Sequence, residues 1–226
     1  MKNSNIWSDV LKAWVPPHVD FLAKKVLMDG NSNEELRRKI ESGQAKIRDF
    51  EHYSATKVGV GFAPNPSVGA TIPLINPNLD IQPGLTSLNR GKVGKEAYSV
   101  IYGVQVMYGE SANTAAEALY VNRVYGINIT SAATAQPPFI PVLVQNSDYR
   151  FNVGGQDPVV IPGNRFFVDD TRIVNENGQH VVMLSTPIFV PGESQLTADV
   201  LPAVAGTALG ANACVRVNFK MASFIV

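Results

Sequence analysis

Apolar residues recur at spacings of three, four and seven along the first fifty positions, and at spacings of two in several stretches beyond residue 97. The first regime is helical and the second is that of strands. Ile6, Trp7, Val10, Leu11, Trp14 and Val15 predict one stripe on a short helix, stopped by Pro16-Pro17. A second helix is expected over 18–28, with Pro17 in its first turn, Val19, Leu22 and Val26 inward, and Gly30 at its C-terminal end. Ser32-Asn33-Glu34-Glu35 reads as a capping box opening a third helix. Its seam, Leu36, Ile40, Gly43, Ile47 and Phe50, is heptad-like and weakened by Gly43. Helices this short do not persist alone, so their stripes must be covered by the same chain or by another copy.

From Val58 to Arg90, proline and glycine break up short apolar pieces, which predicts irregular chain or edge strands. Strands are then expected over Ala97–Tyr108, Ala118–Ile129, Phe139–Val144, Tyr149–Val153, Arg165–Val168, Pro187–Val190, Gln195–Leu201 and Ala213–Met221. Arg172–Asn175 and His180–Leu184 flank Asn177-Gly178, a hairpin turn pair. In Gln195–Leu201, Leu196, Ala198 and Val200 share a face; in Ala213–Met221 the odd-numbered residues do. Turns every 8–12 residues, with no helical pattern alternating with the strands, predict a mainly β chain built as an antiparallel β-sandwich or barrel. The division expected is a helical N-terminal arm, 1–53, and a β body, 54–226.

Composition sharpens that division. Residues 1–53 carry 17 charges but two Gly and two Pro, whereas residues 54–226 carry 21 charges with 16 Gly and 13 Pro. Formal net charge is zero, so no global field attracts nucleic acid, and a sparsely charged neutral body favours self-association. Cys214 has no cysteine to pair with. Asp9 and Lys12 interrupt the first apolar stretch, which argues against a signal peptide, and no run is long enough for a membrane span. Synthesis in a cytoplasm is the expectation. Trp7 and Trp14 on the first stripe leave contact with a lipid layer open beside contact with protein.

Chemistry is thin. His18, His52 and His180 form no HxH, HExxH or Cys/His spacing, so neither a metal site nor a cofactor is expected. Asp169-Asp170 are neighbours, and on a strand neighbours point to opposite faces. No GxSxG elbow presents a nucleophile, and a hydrolase would have to use His180 with Asp169 or Asp170. Arg37, Arg38, Lys39, Lys46 and Arg48 are interleaved with Glu34, Glu35, Glu41, Asp49 and Glu51, the pattern of paired charges on a solvated face and not of a nucleic-acid site. Tyr98, Tyr102, Tyr108, Tyr120 and Tyr125 offer an aromatic platform for a carbohydrate-binding module, the first three sharing a face if no bulge intervenes.

The helical arm over 1–53, the strand-rich stretch 97–226, and Phe189-Val190-Pro191-Gly192-Glu193-Ser194-Gln195-Leu196 leading into an alternating strand resemble, in overall organisation, jelly-roll capsid and other virion structural proteins of bacterial viruses. The resemblance implies a jelly-roll body, no enzyme activity, localisation in a virion, and partners that are copies of this chain and other virion proteins. The assembly contacts expected on the arm are Trp7, Leu11, Trp14, Leu36, Ile40, Ile47 and Phe50.

Overall fold

The computed structural model describes residues 5–30, 32–58, 71–94, 98–110, 142–166, 181–203, 209 and 213–225. Within them the chain is mainly β, in antiparallel sheets. It opens with a hairpin of β1 (Ile6–Ser8) and β2 (Ala13–Val15), followed by α1 (Pro17–Met28) and α2 (Glu34–Glu41). Strands β3 (Lys46–Lys57), β4 (Ile72–Pro73) and β5 (Ser99–Glu110) come next, then a helical turn, α3 (Val142–Gln145). The strands β6 (Asp148–Val153), β7 (Val159–Pro162), β8 (Val182–Val190), β9 (Leu196–Leu201) and β10 (Ala213–Ile225) complete the order.

Strands β3 to β10 form two four-stranded sheets, ordered β3-β10-β5-β8 and β4-β9-β6-β7. The pairing is nested: β3 with β10, β4 with β9, β5 with β8, and β6 with β7. Two further pairings, β10 with β5 and β9 with β6, close each sheet. All of them are antiparallel. One apolar cluster lies between the sheets. Val104, Val106, Tyr108, Val215, Val217, Phe219 and Met221 enter it from the first sheet; Tyr149, Phe151, Val153, Leu196, Ala198 and Val200 enter from the second. The Phe151 and Phe219 rings meet across the gap at 5.9 Å, edge to face, and Phe166 packs edge-on against both Tyr149 and Phe151. The alternation expected in β9 and β10 is what fills this core.

Several expectations are corrected. The stripe from Ile6 to Val15 is a hairpin, not a helix, with Ile6 opposite Val15, Trp7 opposite Trp14 and Ser8 opposite Ala13. Residues seven apart share a helix face, but they are also mirror partners across a four-residue loop, and Ile, Val and Trp favour strands. Lys12 takes the left-handed conformation that ends the loop, and Ser8 Oγ accepts from the Leu11 N–H. The third helix stops at Glu41, with Asn33 rather than Ser32 as its cap: the Asn33 side chain accepts from the Glu35 N–H at 2.8 Å. Ile47 and Phe50 therefore stand on β3, which runs across the boundary expected at residues 53 and 54 and is hydrogen-bonded to β10 along its length. Val142–Val144 lies on α3 and not on a strand. Gly163–Arg165 is a 3₁₀ turn, and Arg165 therefore does not open a strand. The expected strand over 118–129, the Asn177-Gly178 turn, and Asp169, Asp170, His180, Tyr120 and Tyr125 lie outside the described residues.

The unpaired side of β3 is covered over part of its length. The Ala55 N–H donates to Leu85 O, the Ser87 N–H to Tyr53 O, and the Tyr53 N–H to Ser87 Oγ at 2.8 Å. β8 carries Pro187 at a sheet edge, where a missing donor is tolerated, and β7 is short and ends on Pro162.

Candidate assembly surface

Hairpin and helices lie as a layer on the outer face of the β3-β10-β5-β8 sheet. In α1, Val19, Leu22, Ala23 and Val26 recur at helical spacing and are buried; in α2, Leu36 and Ile40 are. With Leu11 they form a second cluster whose floor is Val100, Ala222 and Phe224. It is separate from the cluster between the sheets. Arg37 Nη2 donates to Leu27 O at 3.0 Å and ties α2 to α1. On the outward side of α2, Lys39 pairs with Glu35 at 2.7 Å and Arg38 with Glu34 at 3.7 Å, each four residues apart. The basic run is thus partly spent on local pairs, as its interleaving with acids foretold.

The seven expected contact residues divide. Trp7 and Trp14 remain exposed, at 49% and 67%, their rings edge to face at 6.0 Å. Trp7 Nε1 donates to Asp9 Oδ1 at 3.2 Å. Leu11, Leu36 and Ile40 are buried under the layer in their own chain. Ile47 packs against that same cluster from β3, while Phe50 turns to the opposite face, against the core between the sheets, 5.0 Å from the His52 ring. Of the seven, only the two tryptophans combine an apolar surface with exposure.

A seam invisible in the sequence joins layer to sheet. His18, in the first turn of α1, stacks on Tyr102 with ring centroids 4.1 Å apart and planes 18° from parallel. Tyr102 is the extra residue of a bulge: Lys220 pairs with Gly103, but Met221 pairs with Ile101. That bulge breaks the tyrosine stripe. Tyr108 points into the core, whereas Tyr98 and Tyr102 pack under the layer. Burial lowers the His18 pKa, partly opposed by Asp49; burial, Asp49 and Glu51 raise that of Tyr102.

The remainder of the outer face is polar and closely bonded. Arg216 lies 4.1 Å over the Tyr53 ring and donates through Nε to Asn218 Oδ1 at 2.8 Å. Asn218 Nδ2 donates to Gln105 Oε1 at 3.0 Å, and Lys220 is ion-paired with Glu51. Burial lowers the Arg216 pKa. On the inner face, beside Phe50, His52 Nδ1 is 3.0 Å from Ser87 Oγ, and burial lowers its pKa too.

Among the described residues, no three His, Cys, Asp or Glu side chains come together in a way that could hold a metal ion. No helix among them is long and apolar enough to cross a membrane. Comparison with protein families, with curated proteins and with solved structures finds no match to this chain.

Proposed function

We propose that the chain is an eight-stranded jelly-roll sandwich serving as a self-assembling structural subunit of a virion shell. The observation that carries this reading is the nested strand order. A single antiparallel ribbon that pairs its first strand with its last, its second with its seventh, and so inward, gives two sheets ordered 1-8-3-6 and 2-7-4-5 when rolled up. That winding is two Greek keys, the architecture shared by capsid, lectin and cupin domains. Fold alone does not choose among them. Two features favour the shell. The space between the sheets is filled by Tyr149, Phe151, Phe166 and Phe219, which supports action through outer surfaces and not through an internal cavity. Near-zero net charge with an exposed tryptophan pair supports contact between copies. Its partners are then other copies and other virion proteins, and its place is the virion, after synthesis in the host cytoplasm.

The same exposed Trp7–Trp14 pair favours a second reading, a surface-recognition module. Electron microscopy of the purified full chain at rising concentration separates the two. The shell reading expects rings, sheets or closed particles of uniform size. A field of single small particles, together with binding in a glycan screen, contradicts it.

A further inference from the structure

The cluster beneath the N-terminal layer is assembled from two sides that one short connection joins. Leu11, Val19, Leu22, Val26, Leu36 and Ile40 come from the layer, and Val100, Ala222 and Phe224 form the seat. Residues 42–45 lead from α2 into β3, and Ser42, Gly43 and Gln44 are exposed. Gly43 sits at φ +69°, where glycine is at ease but from which it also reaches extended conformations at little cost. Turning that one residue redirects the layer, which parts the second cluster between layer and seat and leaves the core between the sheets whole. The Arg37–Leu27 bond keeps the two helices together as they move.

We propose that the hairpin–helix layer, residues 5–41, is an exchangeable element: in the assembly, the layer of one copy occupies the seat on a second copy. This rests on the self-assembly reading above. The occupant is defined by the chain itself, because whatever fits the seat in one copy fits the identical seat in the next. A short connection at the hinge favours exchange over closure within the chain. It also restricts it, since four residues reach at most about 14 Å. The exchange partner must therefore present its seat beside the start of β3.

The stacked pair His18–Tyr102 reports which chain supplies the layer. His18→Cys and Tyr102→Cys full-length chains are mixed one to one, concentrated, treated with a short bis-maleimide, each arm of which adds one cysteine thiol across its double bond, and run on a denaturing gel. The unmodified chain, with Cys214 buried, sets the background. A covalent dimer from the mixture, absent from either variant alone, is the expected result. Oligomers by light scattering with no covalent dimer in the mixture overturn the exchange and leave the assembly reading intact. A monomer throughout overturns both. Should the cysteine variants not fold, six Gly/Ser residues inserted after Gly43 give the second arm. Easier closure within one chain then lowers the dimer fraction several-fold, and an unchanged fraction overturns the exchange.

Discussion

Replacing Gly163 by alanine places one methyl group where three backbone oxygens already converge. An ideal Cβ there would stand 2.6 Å from both Val144 O and Gln145 O and 2.7 Å from Ser147 O. None of these oxygens is on a flexible side chain. Relief requires the α3–β6 corner to retreat by roughly half an ångström from a tight contact, and that corner is held on every side. The Gly163 N–H donates to Ser147 O at 2.7 Å, the Ser147 hydroxyl donates to Leu143 O, the Ala203 N–H donates to Ser147 Oγ at 3.0 Å, and the Tyr149 hydroxyl donates to Val144 O at 3.2 Å. Overpacking costs about 1–3 kcal/mol, and each buried hydrogen bond broken adds about 1 kcal/mol. Against this stands a gain of about 0.4–1 kcal/mol from stiffening the unfolded chain. Gly163→Ala should therefore lose about 2–4 kcal/mol net, by the balance of those terms. The control is Gly30→Ala, where nothing lies within 4 Å. It should be neutral or gain up to about 1 kcal/mol. Urea unfolding followed by far-ultraviolet circular dichroism measures both. A Gly163→Ala chain as stable as the parent would refute the steric reasoning.

Leu36→Ala should cost about 2–5 kcal/mol of layer docking, because its fully buried side chain leaves a cavity between α2 and the sheet. Both tryptophans lie in the hairpin, so their emission reports the layer, while dichroism, mainly from the strands, reports the sheets; the emission transition should come first in this variant. Phe151→Ala should cost about 3–5 kcal/mol and move both probes together, since it empties the centre between the sheets. Acid should weaken the fold through His18 and His52. Burial holds both below the ordinary histidine pKa of 6.5, so the unfolded chain binds their protons more readily. Their contribution is whole above pH 6.5 and declines as pH falls below it; His18→Gln with His52→Gln should flatten the midpoint of urea unfolding between pH 7.5 and 5.5. An unchanged slope would contradict that assignment.

What was legible in the sequence follows from which forces are local. β9 and the Ala213–Met221 part of β10 place alternate apolar residues in the core, and both were readable; beyond Met221 the other face of β10 is covered as well, by the N-terminal layer. Helix α1 was readable from Pro17 and its stripe. The Trp7–Trp14 hairpin was not, because a spacing of seven satisfies a helix and a mirror-paired loop alike. β3 hid behind a heptad-like pattern whose second half, Ile47 and Phe50, is three residues apart and so falls on opposite faces of a strand. The tyrosine face was lost to one inserted residue, Tyr102, whose bulge on β5 shows only in the pairing with β10. The His18–Tyr102 seam joins residues 84 positions apart, beyond any local pattern. Of the expected contacts, Leu36 and Ile40 are covered by their own sheet within the single chain.

The account turns on association between copies, and the most direct test is mass by light scattering on the full-length chain across a wide concentration range. One copy weighs 24.4 kDa. Self-assembly predicts a mass that rises with concentration to a fixed multiple of that value. A mass that stays at 24.4 kDa at every concentration would contradict it.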